Sequence, residues 1–432
     1  MCGISGIYDK NNISDDNISY LINILNLLQH RGKDSCGISY INEQSNTETI
    51  KNFGTVRQVF GSNIIKNNIK QCIGHVRYTT SGKGNFNEIQ PISNRSLSIV
   101  HNGNIPTILG HDTSYIFNIL NQSSNIEETL IKINNTIPAA YCLIIMFKQN
   151  MYVLRDKYGI RPLSYGFKGS KIIISSETIG LNGCKDITNV KSGEILRIDN
   201  NGIKQIYHNS NSIDGICAFE LIYLMNPDSI YNDILIKDYR KKLGELLAKK
   251  NKLTLDNDFI VIGIPNSGID SAKAYSKSLN LKYYQSIEKN KKGRTFILKN
   301  NTERIKECNK SFTYNYNEIK NKKIIIIDDT IVRGNVIKSI IHNIKKIGVK
   351  ELHVRIPAPP VIDICQLGIA IHSKEELLLN NKSISDVCTL LSIDSLEYLD
   401  ISDLSFFPKD SYKQCFGGGI KDDIIYKTEL LI

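Results

Sequence analysis

The stretch Ile324-Ile325-Ile326-Ile327-Asp328-Asp329-Thr330-Ile331-Val332-Arg333-Gly334-Asn335 decides the fold of the second half of this 432-residue chain. Four consecutive β-branched apolar residues make a short strand buried on both faces. An acidic pair stands where that strand emerges, and a Gly-bearing loop follows. Val336, Ile337, Ile340, Ile341, Ile344 and Ile347 then share one face of a helix that Gly348 closes. A second unit of the same kind runs from Phe259–Ile264 through Pro265-Asn266-Ser267-Gly268 into another helix. Repeated strand–loop–helix units predict a parallel sheet and an α/β domain. Ligands of such sheets bind beyond the carboxyl ends of the strands. Asp328 and Asp329 are thus placed to hold ribose hydroxyls or a magnesium-bound sugar phosphate. The loop N–H groups and the helix N-terminus can cradle a phosphate. An acidic turn that only caps a helix is the plainer alternative; the Gly loop close behind the pair argues for a ligand.

Outward from there, the first half reads as β-rich. Apolar runs recur at Gly3–Tyr8, Leu97–His101, Ala140–Phe147, Met151–Arg155, Lys171–Ser175 and Glu194–Ile198, separated by Gly, Asn and Asp turns. Ile18, Leu21, Ile22, Leu25 and Leu28 keep helical spacing up to Gln29-His30-Arg31-Gly32. The polar stretch His208-Asn209-Ser210-Asn211-Ser212 marks the boundary, which divides the chain into 2–212, 213–400 and a short extension, 401–432. Cys2 follows Met1, and removal of Met1 would leave one residue carrying both a thiol and an amine of pKa ~7.7–8, fit to act as the thiol's own base. Asn102 beside Gly103 offers a side-chain and a backbone donor to a developing oxyanion. Arg77 can grip a carboxylate with two parallel bonds. Taken singly, these are a packing cysteine, a hairpin turn and a surface ion pair. Taken together they suit acyl transfer.

The segments MCGISGIYD, LQHRGKDSCGI, GHVRYTTSG, IVHNGNI and RDKYGIRPL resemble the successive signatures of class II glutamine amidotransferases, the amino-terminal-nucleophile glutaminases. The resemblance implies an α/β sandwich of two sheets between helices. It assigns Cys2 as nucleophile, Asn102 and Gly103 as oxyanion hole, and Arg77 as the residue holding the glutamine carboxylate. Asp112 would bind the α-amino group, although Ser114 stands where the family usually has an acid.

The acidic stretch in turn resembles the phosphoribosyl pyrophosphate signature of type I phosphoribosyltransferases. Cys217-Ala218-Phe219-Glu220-Leu221-Ile222-Tyr223 resembles the domain junction of amidophosphoribosyltransferases, Ile264–Gly268 their pyrophosphate loop, and Lys289-Asn290 with Gly293–Ile297 their flexible loop. This resemblance spans roughly residues 2–419. It implies phosphoribosyl pyrophosphate contacts by Asp328, Asp329, Thr330, Arg333, Gly334, Asn335, Ser267, Gly268, Lys289 and Arg294, with Mg2+ on the two aspartates. Ammonia from glutamine would displace pyrophosphate to give 5-phosphoribosylamine, the first step of de novo purine synthesis, and the sugar substrate would raise the glutaminase rate. Asn266 replaces a usual Asp, and Asn335 and Val336 replace hydroxyl residues. Those departures keep open a glutaminase or regulatory protein with a non-catalytic second domain. Some members hold a [4Fe–4S] cluster on four cysteines. Cys217, Cys365 and Cys415 stand in matching contexts here, but Tyr412 occupies the fourth position. No stable cluster is expected on three thiolates.

With 41% hydrophobic and 22% charged residues, no Trp and 10 Pro, a collagenous or disordered chain is excluded. No apolar run nears the ~18 residues of a membrane helix, and the amino terminus has no secretory pattern. The net charge of +11 sits on lysines among Ile and Asn, as at Lys320-Asn321-Lys322-Lys323. With few interleaved aromatics this reads as a solvated face, so no nucleic-acid partner is expected. Ten cysteines without a CxxC suit a reducing, cytoplasmic setting. The family resemblance implies a dimer or tetramer and leaves purine nucleotide inhibition open.

Overall fold

The computed structural model describes residues 2–11, 17–42, 44–61, 69–78, 84–105, 110–290, 312–365, 367–369, 371 and 373–418. Its first half holds two antiparallel sheets. One has seven strands in the order Lys185–Asn189, Ser164–Lys168, Lys171–Ser175, Gly3–Asp9, Gln71–Arg77, Ser35–Ile41, Thr47–Phe53. The other has six, in the order Gly202–His208, Glu194–Asp199, Asn150–Arg155, Ala140–Phe147, Leu97–Asn104, Ile92–Ser93.

Alternation along the strands decides what each face meets. In Gly3–Asp9, Ile4 and Tyr8 point into the core between the sheets, with Val100, Ile144 and Val153. Ile7 points the other way, onto the helix Asn17–Leu27. The helices Asp112–Asn121 and Ile126–Thr136 cover the far side of the second sheet. The result is the helix–sheet–sheet–helix sandwich that the resemblance implied. Gly3 pairs with Val76, so Cys2, one step beyond, lies beside the end of the Gln71–Arg77 strand.

The second half is built on a five-stranded, fully parallel sheet in the order Lys282–Tyr284, Phe259–Gly263, Lys323–Ile327, Glu351–Ile356, Ser395–Tyr398. Ile324 to Ile327 are fully buried at its centre, as a run without alternation requires. The helices Ile236–Lys249 and Ile269–Ser278 pack so closely that a Cβ on Gly244 would lie 2.2 Å from the Ser271 carbonyl. Gly348 closes the helix Asn335–Ile347 in the left-handed conformation at φ 90°.

One expectation needs correction, and two plainer readings are set aside. Val336 is 41% exposed and does not share the buried face of its helix. Asn102 and Gly103 do not turn the chain; they continue the strand Leu97–Asn104. The extension is no mere tail through residue 418. Leu404, Phe407, Tyr412, Cys415 and Phe416 join the core of the parallel sheet, and Tyr412 pairs with Cys217 at the junction. Among the described residues, no helix is long and apolar enough to cross a membrane.

Candidate active sites

Cys2 is buried where two strand ends meet. Its N–H donates to Asn102 Oδ1 at 3.2 Å, and its Sγ lies 3.8 Å from the Tyr78 carbonyl. The bond that turns Asn102 Oδ1 toward Cys2 leaves Nδ2 buried, with no acceptor among the described residues. A buried donor without a partner is costly, and here it points to a group that arrives with the reaction. Gly103 is confined by geometry: a Cβ there would lie 2.0 Å from the Ala140 carbonyl and 2.7 Å from His101 Nε2.

Arg77 is 3% exposed, and one guanidinium nitrogen lies 3.2 Å from Glu88 Oε2; it is not a surface pair. Asp112 is the first residue of its helix. Its carboxylate accepts from the N–H groups of Thr113 at 2.8 Å and Ile105 at 3.3 Å. Burial opposes its charge, yet His101, with Nδ1 3.7 Å away, holds the carboxyl down to about 2. Burial pushes the neighbouring His111 down to about 4, and Arg77 adds to this against the pull of Asp112.

Gln90 and Thr113 were not singled out in the sequence. Gln90 accepts from the His101 N–H at 2.6 Å and donates to Thr113 Oγ1 at 3.0 Å, which fixes the segment before Asn102. An amide before a proline carries little warning of such a role.

In the second half, Asp328 and Asp329 emerge from Lys323–Ile327 beside the loop after Phe259–Gly263. Both are more than nine-tenths buried. Ser267 Oγ donates to Asp329 Oδ2, Thr330 Oγ1 donates to Oδ1 at 2.8 Å, and the Asp329 N–H donates to Asp328 Oδ1 at 3.0 Å. Burial raises both carboxyls, that of Asp328 well above the usual range. Asp329 adds to this at Asp328, while Ser267 and Thr330 oppose it at Asp329.

Gly268 lies against the emerging strand, where a Cβ would sit 2.6 Å from the Ile327 carbonyl. Gly334, at φ 77°, precedes Asn335, the first residue of its helix. Lys289 lies within electrostatic reach of the pair: burial and Lys33 of the first half lower its ammonium, and Asp329 and Asp328 counter them. Arg333 turns away, to Glu376, with Nε 2.6 Å from Oε2. Arg294 lies outside the described residues.

Arg240, buried on the helix Ile236–Lys249, is a cation that the sequence did not disclose. It donates to the carbonyls of Leu221 at 3.2 Å and Met225 at 2.7 Å, and its charge counters the raised carboxyl of Asp329. Between the two sites stands Tyr223. The residue is half-exposed, but its hydroxyl is pushed up by loss of water and by Asp329, Tyr78 and Asp328.

Cys217, Cys365 and Cys415 also come together. Burial, chiefly, raises their thiols, Cys217 to about 12; Cys365 adds to this at Cys217, and both Cys217 and Cys365 add to it at Cys415. Beside Cys217 stands Tyr412: its N–H donates to the Ile216 carbonyl at 2.8 Å, its carbonyl accepts from Ala218 at 3.0 Å, and its ring meets Tyr158 edge-on at 6.5 Å. Among the described residues no set of three or more His, Cys, Asp or Glu has the geometry of a metal site.

An amino-terminal-nucleophile sandwich with a cysteine beside an Asn-Gly pair, joined to a parallel sheet with two aspartates at a strand end, defines a glutamine amidotransferase fused to a phosphoribosyltransferase. Residues 232–358 match the phosphoribosyl transferase domain family. The amidophosphoribosyltransferase of Methanocaldococcus jannaschii is 32% identical, with 100% of this chain and 99% of the relative covered. That of Methanothermobacter thermautotrophicus is 31% identical over 93% of this chain and 90% of the relative. Among solved structures, the Bacillus subtilis glutamine phosphoribosylpyrophosphate amidotransferase complexed with ADP and GMP superposes with a TM-score of 0.86, at 27% identity over 97% of both chains. A structure described as the allosteric regulatory enzyme of purine biosynthesis gives 0.88, at 28% identity over 99% of this chain and 98% of the other. The chain belongs to the amidophosphoribosyltransferase family.

Proposed function

We propose that the chain makes 5-phosphoribosylamine from glutamine and phosphoribosyl pyrophosphate. The observation that carries this reading is the pairing, in one chain, of a buried Cys2 beside an unpartnered Asn102 amide with a buried Asp328–Asp329 pair at a parallel-strand end. Arg77 and Asp112 hold the carboxylate and amino group of glutamine. The Cys2 thiol, deprotonated by its own amine once Met1 is removed, attacks the side-chain carbonyl. Asn102 Nδ2 and the Gly103 N–H take up the oxyanion. Collapse expels ammonia, which leaves with the proton the amine received, and water then hydrolyses the thioester to glutamate. The ammonia passes by Tyr223 to the second site, attacks the anomeric carbon and displaces pyrophosphate. Positioning and charge do most of that work. Ser267, Gly268, Thr330, Gly334, Asn335 and Lys289 surround the sugar phosphate; Arg333 reaches it only by leaving Glu376.

Two adjacent buried carboxylates with raised proton affinity fit a hard dication, and Mg2+ commonly takes one or two carboxylates with substrate phosphates completing its shell. Asp328 and Asp329 would hold it, and it would neutralise the departing pyrophosphate. Three thiols, with Tyr412 in place of a fourth, do not fit a four-thiolate cluster, so no step involves iron. Inhibition by purine nucleotides, a dimeric or tetrameric assembly and a cytoplasmic site of action complete the reading. Family membership supports it, as do the ADP and GMP with which the Bacillus subtilis enzyme is complexed. The test is pyrophosphate release with either glutamine or ammonium as nitrogen donor. Release with both supports the proposal, and glutamine hydrolysis with no release from either would leave the non-catalytic second domain.

A further inference from the structure

Arg31 occupies a short turn, Gln29–Arg31, and its guanidinium is wholly buried. Nε donates to the carbonyl of Cys2 at 2.8 Å. The two terminal nitrogens grip both oxygens of Glu220, at 3.0 and 2.9 Å, and one also reaches Glu177 Oε1 at 2.5 Å. Glu220 belongs to the junction and is shared with Arg161 at 3.2 Å, whose other terminal nitrogen donates to the Leu367 carbonyl of the second half. Glu177 accepts from the Asn226 N–H and from Ser229 Oγ, both at 2.7 Å, and His30 lies 2.8 Å away. Two arginines thus balance two glutamates, all four side chains shut off from water. Beyond Glu220, Arg240 holds the carbonyls at both ends of the turn Leu221–Met225 and faces Asp329.

A staple between domains needs no bond to the nucleophile's own backbone. Here one guanidinium holds the Cys2 carbonyl with one arm and the junction carboxylate with the other two. A shift of Glu220 would pull on Arg31, and a shift of Arg31 would pull on the Cys2 carbonyl. A displacement of ~1 Å at a nucleophile can cost about a hundredfold in rate. We propose that Arg31 is a positioning residue that fixes Cys2 for attack and, through Glu220 and Arg240, makes that position depend on whether the Asp328–Asp329 site is occupied.

The inference rests on the function proposed above, and its test separates the two. In the full-length enzyme, Arg31→Lys keeps the charge but loses the fork, and Glu220→Gln keeps the shape but loses the charge. For each, glutamine hydrolysis is measured with and without phosphoribosyl pyrophosphate, and ammonium-dependent pyrophosphate release is measured in the same preparation. Release from ammonium should stay within about twofold of the unaltered enzyme, as should the KM for glutamine without the sugar substrate. The ratio of hydrolysis kcat with that substrate to kcat without it should fall to about 1 in Arg31→Lys and part-way in Glu220→Gln. A full ratio in Arg31→Lys overturns the inference. So does a fall in ammonium-dependent release as large as the fall in hydrolysis, which would make the network a fold staple. An unaltered enzyme that makes product from glutamine but shows no rise in hydrolysis also overturns it and leaves the function standing. No product from either donor overturns both.

Discussion

At the scale of single residues, the proposed glutamine reaction depends on Cys2 and on the donors facing it. Cys2→Ala should cut glutamine-dependent synthesis by about 10³-fold or more while ammonium-dependent synthesis persists. Mass spectrometry should find a chain beginning at Cys2, and one that retains Met1 would contradict an amine base. Gly103→Ala should abolish glutamine use, because no Cβ fits 2.0 Å from the Ala140 carbonyl; an active Gly103→Ala enzyme would refute that reading of the strand. Acid should weaken the first half. An unfolded histidine gains its proton near pH 6.5, whereas His111 does so only near 4, so stability falls as pH drops across that window. Unfolded aspartate is protonated near 3.9, whereas Asp112 holds its charge to about 2; this contributes about 2 kcal/mol above pH 4, lost as pH falls toward 2. Thermal unfolding from pH 7 to 5 should show a shallower slope in His111→Gln, and an unchanged slope would remove His111 from the explanation.

At the scale of elements, the two sites were legible to different depths. The strand Lys323–Ile327 announced itself because it is apolar on both faces and ends in two acids. Leu97–Asn104 was readable only to His101, since Asn102-Gly103-Asn104 has the composition of a turn and only pairing with Ala140–Phe147 keeps it extended. The strand Thr47–Phe53 lies at a sheet edge with half its residues in water, so its apolar signal is faint. Least legible was the Arg31–Glu177–Glu220–Arg161 network. Its members are scattered from residue 31 to 220, and nothing local marks a charge as bound for the interior.

Element-scale predictions follow the parallel sheet. Ile326→Ala, at its centre, should cost about 2–5 kcal/mol in chemical denaturation. Asp328→Asn and Asp329→Asn should each lower phosphoribosyl transfer by about 10²-fold or more while sparing basal glutamine hydrolysis; equal loss of both would indicate a folding defect. The raised carboxyls set a further sign. Their stabilising contribution is complete below the unfolded value near 3.9 and is lost as pH rises through the folded value. Mg2+ with phosphoribosyl pyrophosphate should therefore raise Tm more at pH 8 than at pH 5. Equal shifts would mean that the pair does not bind the cation as carboxylates.

At the scale of the whole molecule, two chemistries meet at one junction. Cys217 to Met225 lies between them, the returning chain at Tyr412 closes over it, and Tyr223 is electrostatically coupled to Tyr78 on one side and to Asp328 and Asp329 on the other. On the function proposed above, the amide nitrogen of glutamine is released beside this junction. Anaerobically purified protein should be colourless and fully active, since the junction is packed by Phe219 stacked on Phe416 at 5.1 Å and Tyr412 stands at the position of a fourth ligand. A brown absorbance with close to four irons per chain would contradict this. The most direct measurement is pyrophosphate release from phosphoribosyl pyrophosphate with glutamine or with ammonium as the only nitrogen source. Release is expected with both, and loss of the glutamine reaction alone in Cys2→Ala. Release with neither, from an enzyme that still hydrolyses glutamine, would contradict the proposed function.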